Sequence, residues 1–462
     1  FTWRDIKMPD WFVNEPWLLS HNLLGDLWAT RLNSEETVTI LARNELQNLL
    51  GAKPFFLLRA IPSPTGDAVA LVVDTNIDAD PDEAMGLQLL VLSLSDGNLR
   101  IVAPLQNATS TLAAGNAEAF VANRNLAVSL GSVTWAHDGK QLAFASALGS
   151  DSADLYRFNL PFASIVRLSD EAGSVERIDW SADDSLLLYT VRHRQFDDIS
   201  RTTAELYVAN ANGSGYRRLY NDNSRNIRLV DWTGPTSALI YNETNQDPCN
   251  IASLRKITIA AKADVGHTEF ITETQVLTDT NGITFTNQIQ TPILVTTTEK
   301  LVMTEILTLT TEPFQKLGYA AERQEVLLAK GERCPGPNPK GLYRLSLNQP
   351  TGQPNPQFPQ PVQLQPPQLI SDQVYTTRLH PLADGRWLLQ ESNKALGYLR
   401  PDNQFEPFAL FTDTLSSGVV VTPQVTALIG NQWLWRLDDD PRNRFWIGEI
   451  GTLPKPVESP LL

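Results

Sequence analysis

One short pattern, repeated, constrains this chain more than any other feature: a strand closing on Trp, a tight turn through Asp or Gly, then an apolar strand. The three clearest copies run Val133-Thr134-Trp135-Ala136-His137-Asp138-Gly139 into Leu142-Ala143-Phe144, Ile178-Asp179-Trp180-Ser181-Ala182-Asp183-Asp184 into Leu186-Leu187-Leu188-Tyr189, and Val230-Asp231-Trp232-Thr233-Gly234 into Leu239-Ile240-Tyr241. Their tryptophans are 45 and 52 residues apart, at and slightly beyond the period of a four-stranded blade. A second element follows each copy or stands alone: Asp154-Leu155-Tyr156-Arg157, Glu205-Leu206-Tyr207-Val208 and Gly341-Leu342-Tyr343-Arg344. A further strand then ends at Leu168, at Leu219 or at Leu369-Ile370. These read as third and fourth strands, joined by hairpins such as Asn212-Gly213-Ser214-Gly215. A lone blade leaves its faces half covered and its edges unpaired, so copies must pack in a ring.

Trp-Ala-His-Asp-Gly and Trp-Ser-Ala-Asp-Asp, each followed by an apolar strand and then by an acidic-Leu-Tyr strand, resemble the TolB-like propeller repeat, also called PD40 and related to WD40-like repeats. Residues 131–259 carry the resemblance well. Weaker copies lie near 62–102, 325–370 and 374–410. The resemblance implies an all-β fold, a β-propeller of four-stranded blades. Seven blades fit the spacing best and eight is the alternative, because 281–309 is rich in β-branched residues yet lacks the Trp and Asp-Gly signals. Ring closure is open between two readings. Asp26-Leu27-Trp28-Ala29-Thr30 and Thr37-Val38-Thr39-Ile40-Leu41 read as outer strands of a blade begun elsewhere, whereas Trp433–Leu437 and Arg444–Gly448 suit a C-terminal blade that completes itself.

Outside the repeat, residues 1–25 hold Trp3, Trp11 and Trp17 beside Pro9 and Pro16 and predict an irregular aromatic arm, with the propeller domain spanning 26–462. Residues 42–51 and 113–123 read as short helices. Seven prolines between 350 and 367 favour extended backbone and predict a long projecting hairpin loop.

Charge narrows the partners. The chain has 37 basic and 52 acidic residues, a formal net charge of −15, which repels phosphate backbones, so nucleic acid is not an expected partner. No stretch approaches the apolar length of a membrane-spanning helix. Association with a cell envelope is compatible with both observations.

Catalytic signals are sparse. TolB-like propellers also precede serine peptidase domains, but no Gly-x-Ser-x-Gly elbow is found here. The five histidines, His21, His137, His193, His267 and His380, share no ligand spacing; His137 and His380 fall at the tight turn, and His193 falls just after an apolar second strand, where a connecting loop is expected. Asp183-Asp184 and Asp197-Asp198 fit general acid–base chemistry on paper, and turn chemistry better. Asp74, Asn76, Asp78, Asp80 and Asp82 place oxygen ligands at alternate positions, as a calcium loop does. Ala79 and Met85 depart from the EF-hand pattern, so a solvated acidic loop is the competing reading and Ca²⁺ the one candidate cofactor.

Cys249 and Cys334 are the only cysteines, and both fall between the second and third strands of their repeats. If 281–309 forms no blade of its own, those repeats are neighbours and the two loops open on one face, which predicts a disulfide and an oxidising compartment. Two reduced thiols are the alternative. The expected function is therefore a non-enzymatic binding or scaffolding propeller mediating protein–protein interaction in an extracytoplasmic assembly. The alternative is a metal-assisted lyase, hydrolase or cyclase acting at the central channel.

Overall fold

The computed structural model describes residues 17–31, 36–51, 54–75, 86–105, 132–148, 153–170, 173–195, 198–220, 226–243, 252–263, 268–278, 284–294, 299–310, 316–330, 339–347, 350–351, 363–364, 367–371, 378–382, 384–391, 394–407, 413–414, 420–421, 423–429, 432–437, 445–449 and 455–457. Among these residues seven four-stranded antiparallel sheets follow one another in chain order, and we number them as blades. Blade 1 spans Phe56–Pro62 to Leu99–Pro104, blade 2 Val133–Trp135 to Ser164–Arg167, and blade 3 Ser174–Trp180 to Tyr216–Tyr220. Blade 4 spans Asn226–Gly234 to Glu299–Thr310, blade 5 Lys316–Ala320 to Gln368–Ser371, blade 6 Arg378–Pro381 to Phe405–Pro407, and blade 7 Pro423–Ile429 to Lys455–Val457. The first strands of blades 2 to 6 touch one another in sequence, so they line a common axis and the fourth strands lie outermost. This arrangement is a β-propeller.

The repeat's residue types follow from that geometry. Second strands such as Ala68–Asp74 and Gln141–Ser146 are sandwiched on both faces and read as nearly continuous apolar runs. The Tyr of the third strand faces an aromatic of the second: Phe144 and Tyr156 stack at 5.7 Å, Tyr189 and Tyr207 at 5.5 Å. The acidic residue before it is tied to an arginine of the fourth strand, Asp154 to Arg167 at 2.7 Å and Glu205 to Arg218 at 3.1 Å. Buried as they are, these carboxylates need such partners.

The turn between first and second strands has one form in five blades. An amide donates three residues back, from Gly66, Gly139, Asp184, Gln324 and Gly385. Each of these residues has a positive φ, the left-handed conformation that favours glycine. Blade 4 differs: its first strand pairs to Gly234 opposite Ser237, leaving a two-residue turn through Pro235 and Thr236.

Several expectations are sharpened or corrected. Residues 281–309 form no separate blade: Thr268–Thr278 and Thr284–Leu294 make a two-stranded hairpin inserted between the third and fourth strands of blade 4, and Glu299–Thr310 is that blade's fourth strand. Blades 4 and 5 are therefore consecutive. Of the irregular arm expected over 1–25, residues 1–16 lie outside the described residues, while Trp17–His21 is a strand because Leu19 and Trp17 pack on the apolar cluster shared by the N-terminal sheet and blade 1. That sheet has three strands, ending with Leu27–Arg31 and Thr37–Leu41, while the C-terminal blade supplies all four of its own. The expected helix at 42–51 is Arg43–Leu49, with Gly51 left-handed just beyond it; the one expected over 113–123 lies outside the described residues. The proline-rich segment is closed at its base by pairing of Pro350 with Leu364 and Thr351 with Gln363. Among the described residues no helix is long and apolar enough to cross a membrane.

Candidate functional site

The axial wall is built from one register of the first strands. Thr134, Asp179 and Asp231 each precede the repeat's Trp, and Tyr319 holds the same place before Ala320; their second-strand partners are Ala143, Leu188, Leu239 and Val326. The Trp beside this register closes the seam between blades. Trp135 Nε1 donates to the Ile61 carbonyl of blade 1 at 2.9 Å, and Trp180 Nε1 to the Thr134 carbonyl of blade 2 at 3.3 Å. Between blades 5 and 6 the second-strand Trp387 donates instead to the Glu325 carboxylate at 2.9 Å, with the Arg323 guanidinium 5.4 Å above its ring.

The left-handed turn residue adds a second fastening. A Cβ on Gly139 would come within 2.2 Å of Thr65 in the turn of blade 1, so only glycine fits there. Asp184 holds that place in blade 3, and its carboxylate accepts the His137 amide at 2.9 Å, His137 Nδ1 at 2.7 Å and the Asp138 amide at 3.0 Å. Three hydrogen bonds to a carboxylate offset the strain of a non-glycine residue at φ 57°.

The seam between blades 3 and 4 has neither device. Trp232 Nε1 and Thr233 Oγ1 are buried without a hydrogen-bond partner among the described residues, and nothing lies within 4 Å of where a Cβ of Gly234 would stand. The short turn of blade 4 has no residue to reach back. Among the described residues this seam is held by apolar packing, with Leu186, Leu188 and Val208 against Ile227, Ile240 and Ile257, and by a hydrogen bond from Arg177 to the Ile227 carbonyl at 3.3 Å.

Two like charges face each other across that same seam. Burial, and secondarily the neighbouring Asp231, push the Asp179 carboxyl up to about 6, against the opposing pull of Arg177. Solvent reaches Asp231, yet crowding by protein still raises its pKa, offset by the Trp232 amide that its Oδ1 accepts at 2.8 Å. On the far side Tyr319 is buried, and burial followed by the Asp231 charge pushes its phenol up to about 12. The first strands of blades 3 to 5 thus bring together an acidic pair and a buried, neutral phenol, with Arg177 as the nearby cation.

The residues singled out in the sequence fall elsewhere. Asp183 accepts bonds from Ser181 and Ser185 and fixes the turn, as expected of a turn residue. His193 is not in a connecting loop: its strand continues to Gln195, because the partner strand Asp198–Asn210 is long enough to pair with it, placing His193 opposite Thr203. His380 is in the first strand of blade 6 opposite Leu388, ahead of the turn that closes between Leu382 and Gly385. His21 ends the first described strand, and His267 lies outside the described residues. Of the proposed calcium ligands, the Asp74 carboxylate accepts the Gly86 amide at 3.0 Å and closes its loop, while Asn76, Asp78, Asp80 and Asp82 lie outside the described residues. So do Cys249, Cys334 and Asp197. Among the described residues no group of three or more His, Cys, Asp and Glu is disposed to hold a metal ion. Asp179 and Asp231 were missed; the available signal was the recurrence of Asp directly before Trp in two consecutive repeats.

No protein-family model matches the chain, and no curated protein does. Solved structures to which it is similar include a puromycin hydrolase, at 13% identity over 87% of this chain and 53% of that one, with a TM-score of 0.45. TolB from Acinetobacter baumannii is matched at 13% identity over 71% of this chain and 60% of that one, with a TM-score of 0.30. The β-propeller domain of the trilobed protease from Pyrococcus furiosus is matched at 10% identity over 87% of this chain and 95% of that one, with a TM-score of 0.40. The chain spans about half the length of the puromycin hydrolase, and these likenesses concern the fold alone.

Proposed function

We propose that this chain is a non-enzymatic binding and scaffolding propeller that holds a protein partner within an extracytoplasmic or cell-envelope assembly. The observation that carries the proposal is the pair Asp179 and Asp231, set at one register on neighbouring blades of the channel wall where the seam is unstitched. Two carboxylates beside a single arginine favour a basic side chain presented by a partner, which would add to the positive charge of Arg177. The resemblance of the repeat to the TolB-like family supports the same class, as analogy of fold.

Catalysis at the channel is the second reading. One observation favours it: a carboxyl with pKa about 6 beside another carboxylate is suited to exchanging a proton near neutral pH.

The test is capture of proteins from the envelope fraction of the source cells on the immobilised chain and on an Asp179→Asn, Asp231→Asn variant. The proposal expects a stoichiometric protein retained by the unaltered chain, eluted by salt and lost with the variant. Equal retention on both, or no stoichiometric protein on either, overturns it.

A further inference from the structure

The inserted hairpin of blade 4 has two unlike edges. Pairing of the third and fourth strands of this blade outruns the second strand, which begins at Ser237 opposite Thr258: among the described residues Ala260 to Ala263 continue with Val302 to Glu299 alone. Beyond them Thr268–Thr278 and Thr284–Leu294 form eleven consecutive antiparallel pairs without a register shift. This is a two-stranded sheet, so among the described residues each strand has an unpaired edge.

A two-stranded sheet is marginal alone, and long unpaired edges are normally guarded by charge, by shortness or by bulges. The outer strands of the blades obey this rule. They carry a charged residue, as Arg100, Arg167, Arg217, Arg218, Glu406 and Lys455 show, or they are short, as Gln368–Ser371 is. Thr268–Thr278 also obeys it through Glu269 and Glu273. Thr284–Leu294 does not: it is eleven residues long, unbulged and without a single charged residue.

That strand is also self-complementary. Laid antiparallel on a second copy about Ile289, it sets Ile289 opposite Ile289, Gln288 opposite Gln290, Asn287 opposite Thr291 and Phe285 opposite Ile293. At alternate positions the pairs are Ile289 with itself, Asn287 with Thr291 and Phe285 with Ile293, each like with like; the remaining positions set Gln288 with Gln290 but Thr286 with Pro292 and Thr284 with Leu294, and nowhere is a charge opposed. The same operation on Thr268–Thr278 sets Glu273 against Glu273, which is unfavourable. Pro292 lies near the end of the strand, where a missing donor shortens the ladder without dividing it.

We infer that Thr284–Leu294 is a homodimerisation strand, pairing antiparallel with its own copy to make a four-stranded intermolecular sheet with Glu-bearing strands outside. A two-fold axis through Ile289 makes the contact isologous and closed, so assembly stops at two. Each chain carries −15, so dimerisation strengthens as salt screens the repulsion.

Sedimentation velocity and light scattering test this on the full chain. The unaltered protein should be a dimer, Ile289→Lys a monomer with the melting temperature of the blades retained, and Glu273→Lys still a dimer. Ile289→Cys provides a second measurement that does not depend on losing an interaction. Residues facing across the axis are about 4.5–5.5 Å apart at Cα, within disulfide reach, so oxidation should yield a covalent dimer absent from the oxidised unaltered chain. A monomeric unaltered protein, a dimeric Ile289→Lys or the absence of crosslinking by Ile289→Cys overturns the inference.

Discussion

The seams on the two sides of blade 3 are made from the same repeat and end up opposite in character. Toward blade 2, Trp180 donates to a backbone carbonyl, Asp184 collects three donors from the turn across the seam, and the residue at the register of Asp179 is the neutral Thr134. Toward blade 4, Trp232 donates to nothing among the described residues, the turn is too short to reach back, and the residue beside Asp179 is a second carboxylate. A ring that needed only to be stable would not leave a buried N–H unbonded beside two facing carboxylates. Fastening and charge thus sit at adjacent positions of one motif, with Trp for the first and the residue before it for the second.

Large deletions should cost more at a fastened seam than at an unfastened one. Trp387 is fully buried and fastened to Glu325, so Trp387→Ala should cost about 3–5 kcal/mol. Trp232→Ala, at a half-buried and unbonded side chain, should cost about 2 kcal/mol or less. Urea denaturation of both variants checks this, and equal losses would remove the distinction between the seams.

Much of this was legible in the sequence. Trp135, Trp180 and Trp232 gave away the blade, and the apolar runs after them gave away the second strands. Trp232 is followed by Thr233-Gly234 where the other two copies carry four residues ending in Asp-Gly or Asp-Asp, a signal that the repeat reading passed over and whose consequence depends on where neighbouring turns lie. The Trp acceptors were not legible, because they are backbone carbonyls some 46 and 74 residues away in the preceding blade. Asp179 and Asp231 were hidden for a related reason. An Asp in a strand beside a turn reads as local turn chemistry until the packing of first strands around an axis brings two of them together. Reading His193 as a loop residue failed because strand length in blade 3 is set by the partner strand and not by the apolar run that ends at Val191.

The charge at the seam of blades 3 and 4 depends on pH. Asp179 titrates near 6 in the folded chain against 3.8 as its ordinary value, so the folded state holds its proton more tightly than the unfolded state does. Its burden on stability is therefore absent below about pH 4, grows between about pH 4 and 6 and is complete above that. Asp179→Asn removes the burden. The substitution should stabilise the chain by about 1–2 kcal/mol at pH 7.5, after allowance for partial solvent screening, and by nothing at about pH 4. Melting curves across that range check the sign; a gain that is the same at both ends would mean that charge is not its source.

The central claim, that the Trp N–H fastens some seams and not this one, is tested most directly by a pair of substitutions that keep an aromatic ring and delete the N–H. Trp180→Phe removes a formed hydrogen bond across the seam of blades 2 and 3 and should lower unfolding free energy by about 1 kcal/mol beyond the cost of the smaller ring. Trp232→Phe removes a buried N–H that bonds nothing among the described residues, so the same ring change should come without that loss, or with a slight gain. Guanidinium denaturation of the two variants beside the unaltered chain gives the comparison. A larger loss for Trp180→Phe than for Trp232→Phe is what the account predicts, and an equal or reversed loss would contradict it.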